Sequence, residues 1–552
     1  MIGCLALVSH GLQRRVCALS LSGRVAVRAF SANANHIKQY DTKVCTPIYY
    51  VNGEPHIGHI YSSALADAVA RWDRIQGKSA FMTTGTDEHG QKVQKEAEKR
   101  KMDVKQYCDT IASSFQDELS HYSLAIDRFI RTTDDDHVAL VKRVWEQLMA
   151  NGDLYEADYT GYYCRSDEAF LTAKQVYEKD GQMRSRENDN PVELVKERNW
   201  MFRLQKYKPQ LLAFLRSHPS WITPRAFQQD VVRMVEESTQ DLSVSRPLAR
   251  VPWSIPVDAA TGVYVWLDAL TNYLTTGKGR AFGRVVNVFG KDILKFHGYF
   301  YPCLLMALQQ PLPSAMVCHN HWTVNGAKIS KSKGNYIPLR RLRQFVPGEL
   351  VRAYLLTEDT LQRDGDFATE HLLRMTKDLA DLYGNLLMRS LGKAIATPVL
   401  QAGSDGTTVT EETTQRLQRL VAGVKERYDA FAFCDGYRLV LEELKAMNLF
   451  FNEQHPWTLA KDPKDPKDTQ HLCSVLMEVW ESLRVCSVLL QPIIPSYAAK
   501  ALHLLYPPYS ATQMTPLSAL QDGPLNVREM ACCSDRLFTK LSKAEEARVL
   551  KL

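Results

Sequence analysis

Two imidazoles three residues apart, in His56-Ile57-Gly58-His59, follow a β-branched and aromatic run. At a helix start such a pair shares one face, where unsatisfied backbone N–H groups and the helix dipole favour a phosphate. The glycine between them removes a side chain and lets a flat ring pack on the backbone. Zinc is the other chemistry open to the pair, but no glutamate follows the first histidine and no third ligand is evident. A second group, Lys328-Ile-Ser-Lys-Ser-Lys-Gly-Asn335, sets three ammonium groups beside two hydroxyls and a glycine. Such a loop suits closing over a polyphosphate and spreading its transition-state charge. Each motif alone is commonly structural or merely solvated; the two in this order are far more specific. His319 and His321 alternate on a predicted strand and so share a face, where they read as neighbours of the lysine loop rather than metal ligands.

The elements that would carry these groups are visible in the pattern. Val44 to Val51 reads as a strand ending in the turn Asn52-Gly53, and Ile60 to Arg74 has helical spacing. Further apolar runs at Ser79–Thr84, Val285–Phe289 and Ala315–Cys318 each end in polar, glycine-containing loops. Strands alternating with helices predict an α/β, doubly wound parallel sheet of Rossmann type, with its active edge at the strand carboxyl ends. Between 135 and 245 the pattern breaks, as an inserted subdomain would break it. From 371 to about 505 four stretches, Leu372–Leu391, Thr414–Phe433, Tyr437–Phe451 and Cys473–Leu490, show three-and-four spacing and predict an α-helical bundle. The expected map is a leader at 1–35, catalytic halves at 36–134 and 246–330 around the insertion at 135–245, the lysine-loop region at 331–370, the bundle at 371–510 and a tail at 511–552.

A chain of 552 residues has room for several domains, and its 45 % hydrophobic and 24 % charged content excludes disordered and collagenous classes. No apolar run approaches the roughly 18 to 20 residues that cross a bilayer, so no membrane partner is expected. The net charge of +6 belongs mostly to the first forty residues, which carry Arg14, Arg15, Arg24, Arg28 and Lys38 and no acid. Residues 41–552 hold 63 basic against 62 acidic side chains, or +1. An acid-free, arginine-bearing leader rich in serine and alanine has the character of a mitochondrial transit peptide, so the matrix is the expected location. A secretory signal would need a cleaner apolar core than this leader offers. Twelve cysteines with no CxxC pair argue against a disulfide framework and a cysteine-rich zinc site.

At these residues the sequence resembles the class I aminoacyl-tRNA synthetases. His56-Ile-Gly-His59 and Lys328-Ile-Ser-Lys-Ser332 look like the HIGH and KMSKS signatures, the second with Ile329 in place of methionine. Thr46-Pro-Ile-Tyr-Tyr-Val-Asn-Gly53, Gly85-Thr-Asp-Glu-His-Gly90, Val263-Tyr-Val-Trp-Leu-Asp-Ala269 and Gly290-Lys-Asp-Ile-Leu-Lys-Phe-His297 are similar to the methionyl branch, in its mitochondrial form. The resemblance runs from about 42 to 500. It implies activation of L-methionine by ATP with Mg2+, release of pyrophosphate, and transfer of the acyl group to tRNA(Met). By the match, His56, His59, Lys328 and Lys331 are catalytic, stabilising the triphosphate as it reacts. Asn52, Gly58, Lys291, Asp292, Ser330 and Ser332 bind ATP. Asp87 takes the substrate ammonium, and Tyr50, Trp266, Ala269, Tyr273, Ile293, Phe296 and His297 form the methionine pocket, with His297 and the Tyr50 hydroxyl facing the sulfur. Asn385, Arg389 and Trp457 fall where the family reads the anticodon, by stacking and edge hydrogen bonds on single-stranded bases. Arg340, Arg341 and Arg343 offer a local basic patch for RNA.

The sequence also departs from its relatives. Many carry zinc-binding cysteine pairs in the insertion, whereas Tyr163-Cys-Arg-Ser-Asp-Glu168 keeps one cysteine without a partner, so a knuckle without zinc is expected. No appended dimerisation module follows, so a monomer is expected. Leu537-Phe-Thr-Lys-Leu541 matches the family's closing segment only loosely. A leucine, valine or isoleucine enzyme would need a far larger editing insertion. A small-molecule nucleotidylyltransferase would not need the helical domain, and a non-catalytic RNA-binding relic would not need both signature loops.

Overall fold

The computed structural model describes residues 37–164, 169–171, 175–186, 189–276, 279–329, 337–402, 409–461, 466–521, 525, 530, 532–533 and 536–551. The expected leader at 1–35 lies outside the described residues.

Strand β1 (Lys38–Tyr50) leads through a short turn into α1 (Ile57–Ile75); β2 (Ala80–Asp87) and β3 (Arg128–Arg131) follow. They join Ile222–Thr223, Arg280–Gly290 and Ala315–His319 in one six-stranded sheet, ordered β3, β2, β1, Arg280–Gly290, Ala315–His319, Ile222–Thr223. Every neighbouring pair is parallel. The strand order reverses between β1 and Arg280–Gly290, which opens a crevice at their carboxyl ends. This is the doubly wound sheet expected from the alternation of strand and helix. The strand at Ala315 ends at His319, so His321 lies beyond it and does not share a strand face with His319.

β1 is central and yet contains Pro47, which cannot donate a ladder hydrogen bond. Its pairing with β2 shifts register between Cys45 and Ile48, and the Thr46 hydroxyl there donates to Thr84 Oγ1 at 2.6 Å. Past that irregularity Tyr50 stands opposite Asp87, so both reach the active edge together.

Side chains alternate between the faces of the sheet. Val44, Val286, Val288 and Val317 pack on the side of α1, whereas Cys45, Phe289, Met316 and Cys318 pack on the side of the Val265–Thr275 helix. Within the insertion, Leu154–Cys164, Ala169–Leu171, Val192–Phe202 and Leu242–Ser243 form a separate antiparallel sheet, and Ile222–Thr223 returns to edge the parallel one.

The bundle contains helices Thr369–Leu379, Asn385–Ser390, Lys393–Ala402, Glu411–Asp429, Phe433–Glu453, Pro466–Leu490 and Pro495–Leu505, with a wide turn at Ala380–Gly384. The apolar periodicity at Leu372–Leu391 therefore runs through that turn. The signal predicted at Thr414–Phe433 stops at Asp429, because the chain turns there with Phe431 at a φ of 66°.

α1 lies between the sheet and the bundle and is buried on nearly every side, polar residues included. Asp67 is fully buried in it, 2.6 Å from the guanidinium of Arg352 and 2.7 Å from that of Arg71, and it accepts the Ala125 N–H. Burial alone would raise the Asp67 carboxyl; the two guanidiniums outweigh it and hold the group below its ordinary range. Arg352, also fully buried, donates onward to the Ile493 and Pro492 carbonyls of the bundle at 3.1 and 2.7 Å. Trp72 Nε1 donates to Asp429 at 2.7 Å from the far end of α1. Removing one partner of a buried pair strands the other. Arg352→Leu should therefore lower unfolding free energy by about 3 kcal/mol, read from urea midpoints, and a loss below about 1 kcal/mol would show the pair to be replaceable.

Candidate active site

His56 caps α1 from outside the helix, in an extended conformation, rather than sitting within its first turn. Its Nδ1 accepts the Gly58 N–H at 3.1 Å, and His59 Nδ1 accepts the His56 N–H at 3.1 Å. Each imidazole thus does what a serine or glutamate does in an ordinary capping box. The two rings stack with centroids 3.7 Å apart. A Cβ on Gly58 would lie 3.1 Å from the His56 ring, so glycine lets that ring fold back over the turn. With Nδ1 of both rings accepting, a neutral ring carries its proton on Nε2 and donates from there. The helix start thereby offers imidazole N–H donors where the dipole already favours an anion.

Across the crevice, Lys291 follows the Arg280–Gly290 strand. Its ammonium lies 2.6 Å from Asp364 and 3.2 Å from Asn320 Oδ1. Asp292 is exposed, with its carboxylate 3.4 Å from the His321 ring. His319 is buried, donating from Nδ1 to the Asn320 carbonyl at 2.7 Å and accepting the Ser62 hydroxyl on Nε2 at 2.7 Å. Ser62 belongs to α1, so His319 braces the helix against the Lys291 side of the crevice. Asn52 is exposed at the turn after β1. Lys328 ends a short strand paired with Trp322–Val324, whereas Ser330, Lys331 and Ser332 lie outside the described residues.

The expected methionine-pocket residues converge at the same edge. Trp266 stacks flat on Phe296 at 3.5 Å and 7°, and it packs against Ala269, Ile48 and Ile130 at the ends of β1 and β3. Ile293 and Phe296 pack into the same core as Tyr273. The Tyr273 hydroxyl and His297 Nε2 are 2.7 Å apart, and His297 Nδ1 donates to the Ile293 carbonyl at 3.0 Å. Both imidazole nitrogens are therefore engaged, with Tyr273 as the donor. In this geometry His297 accepts the Tyr273 hydroxyl on Nε2 and thereby fixes its direction.

Asp268, on the Val265–Thr275 helix, is the centre of a buried triad that no local sequence pattern announces. Asp268 sits 2.7 Å from His89 Nδ1 and 2.7 Å from His137 Nε2. Burial would raise its carboxyl, but His89 and His137 outweigh that and hold it below the ordinary range. The triad ties the loop that follows Asp87 to the helix carrying Trp266, Ala269 and Tyr273. Glu88 reinforces that loop through a two-pronged pair with Arg131 at 2.6 and 2.9 Å. His89 and Asp268 both fall inside stretches quoted from the sequence, but nothing local shows that residues 179 positions apart meet.

The family model described as tRNA synthetases class I (M) matches residues 42–391. The chain is 36 % identical over 516 residues to a probable mitochondrial methionine–tRNA ligase of Dictyostelium discoideum, covering 88 % of this chain and 90 % of that one. The chain belongs to the class I methionyl-tRNA synthetases. It is also 36 % identical over 493 residues to the mitochondrial methionine–tRNA ligase of Homo sapiens, covering 83 % of each. Among solved structures, Mycobacterium tuberculosis methionyl-tRNA synthetase in complex with methionyl-adenylate aligns at a TM-score of 0.83 and 30 % identity, covering 91 % of this chain and 99 % of that one.

In this methionyl-tRNA synthetase fold the bundle brings Arg389 and Trp457 together. The Arg389 guanidinium lies 4.9 Å from the Phe451 ring centroid and 5.9 Å from that of Trp457, and it donates to Asn452 Oδ1 at 2.7 Å. Trp457 is 40 % exposed, and His455, with a φ of 43°, meets it edge-on at 5.4 Å. Asn385 stands one turn before Arg389 and donates to Asp381 at 2.9 Å. Phe451, Asn452 and His455 are thus the neighbours that hold Arg389 and Trp457 in place. The proposed basic patch is partly spent: Arg343 pairs with Asp117 at 2.8 Å, and Arg340 reaches Ser114 at 3.2 Å and Glu54 at 3.6 Å.

His297 and His319 share one further property, since burial pushes each down to about 4 from an ordinary 6.5. The unfolded chain binds these protons near pH 6.5 and the folded chain only near 4, so stability is full above that window and falls as pH drops through it. Urea midpoints should decline from pH 7 to pH 5 by about 2 kcal/mol per histidine, and His319→Asn should remove its share. A flat profile over that range would show both rings to be protonated freely in the folded state.

Proposed function

We infer that the chain is a methionine–tRNA ligase, which activates L-methionine with ATP and passes it to tRNA. Methionine's carboxylate attacks the α-phosphorus, pyrophosphate leaves, and a terminal ribose hydroxyl of tRNA(Met) then takes the acyl group from AMP. No covalent enzyme intermediate is required, so catalysis rests on positioning and on stabilising charge as it develops. The reading is carried by the His56–His59 cap, whose Nδ1 atoms accept backbone N–H groups and so orient both rings at the start of α1.

In this proposal His56 and His59 hold the reacting phosphates, and Lys328 and Lys331 close over them. Gly58 lies under the adenine, and Asn52, Lys291, Asp292, Ser330 and Ser332 complete the ATP side. Magnesium enters on the ATP phosphates as part of the substrate. Asp87 takes the methionine ammonium. Tyr50, Trp266, Ala269, Tyr273, Ile293, Phe296 and His297 enclose the side chain, His297 by aiming the Tyr273 hydroxyl. Asn385, Arg389 and Trp457 read the CAU anticodon. The lone Cys164 of the knuckle, without a cysteine at ligand spacing, supports a subdomain that needs no zinc. The arginine-bearing leader and the mitochondrial relatives support a mitochondrial enzyme, and we place it in the matrix as a monomer. No described helix is long and apolar enough to cross a membrane.

The protein without its first 35 residues should catalyse ATP–pyrophosphate exchange with methionine alone among the twenty amino acids. Exchange with leucine, valine or isoleucine instead would move the chain to a sister specificity, and exchange with none would overturn the ligase reading. Lys331→Ala should slow adenylate formation by about 100-fold while methionine binding changes little, because its contacts strengthen only as pyrophosphate departs. An unchanged rate would remove Lys331 from the catalytic set.

A further inference from the structure

We propose that the carboxyl-terminal tail is a positioning device for anticodon reading, acting on Asn385 through Asp381. This inference rests on the reading of Asn385 as an anticodon contact. The Asp381 carboxylate can only accept hydrogen bonds, and the Asn385 amide faces it through Nδ2 at 2.9 Å. The amide cannot turn over without losing that bond, so the directions of its carbonyl oxygen and of its second N–H toward a base edge are fixed. Lys540, from the tail, donates to the same Asp381 oxygen at 2.9 Å and fixes the carboxylate in turn.

Packing holds the tail in register with this contact. Phe538 is buried and stacks on Tyr497 at 4.5 Å and 16°. Its ring fills the place beside Gly384, where a Cβ would come within 2.7 Å of it. Gly384 is the residue directly before Asn385 and closes the wide turn Ala380–Gly384 that sets the direction of the Asn385 helix. Farther along, the Cys533 N–H donates to the Leu391 carbonyl at 3.0 Å, just beyond the other end of that helix. The tail therefore grips the short Asn385–Ser390 helix at both ends. Lys540 and Asp381 are both partly exposed, so their pair adds little to stability. Its consequence is orientation of one amide.

Electrostatics supplies a test in which the two explanations have opposite signs. Deleting a carboxylate beside an RNA surface strengthens non-specific attraction and lowers the KM for RNA. Deleting the group that orients Asn385 raises it. Asp381→Ala in the full chain should raise the KM for a tRNA(Met) transcript by about tenfold, with tRNA-independent ATP–pyrophosphate exchange unchanged. In an Asn385→Ala background the same substitution should leave KM unchanged or lower it. Lys540→Met should raise KM about threefold, also only when Asn385 is present, and Lys540→Arg should restore it. The proposal is overturned if Asp381→Ala lowers KM or leaves it unchanged, or if its penalty persists without Asn385. If Asn385→Ala itself leaves KM unchanged, the anticodon reading of this helix falls, and the positioning role falls with it.

Discussion

A buried carboxylate held between two guanidiniums decides where α1 can lie. Asp67 is inaccessible to water, so its charge must be matched locally, and Arg71 from its own helix and Arg352 from a later one match it. Arg352 also donates to the Pro492 and Ile493 carbonyls. The same helix begins at His56 and ends beside Asp429. The position of the imidazole pair over the crevice is thus referenced to the bundle as well as to the sheet.

The imidazole cap shows why the two histidines are more than a pair of bases. Their Nδ1 lone pairs accept backbone N–H groups, which fixes the rings and puts the proton of a neutral ring on Nε2. Rings held in this way are pre-oriented, the condition under which electrostatic stabilisation is most effective. Behind the pocket, Asp268 with its two histidines and Glu88 with Arg131 hold the Asp87 loop in the same prepared state.

Local features were the legible ones. The strands of the parallel sheet and the body of α1 are written in contiguous residues, because alternation and helical spacing operate over a few positions. Features built from distant partners were not. Nothing near Asp67 announces Arg352, and nothing near His137 announces Asp268, since these residues meet only after the sheet has wound. The capping role of His56 is not legible locally, because a histidine is not among the usual capping residues. The partners of His297 were hidden for a related reason: only the fold shows that Tyr273 and Ile293 meet its two nitrogens.

The apolar core beneath α1 is continuous from the sheet through Leu350, Tyr383 and Val440 to Trp480. The parallel sheet and the helical bundle therefore share one interior, although the sequence sets them out as consecutive blocks. A gene fragment ending near residue 370 would leave the outer flank of α1, with Trp72 and the Asp67 charge cluster, facing water without its cover. Recombination that exchanges the bundle for one from a distant relative would meet the same seam. The two activities of the chain are separable on paper and inherited as a single block.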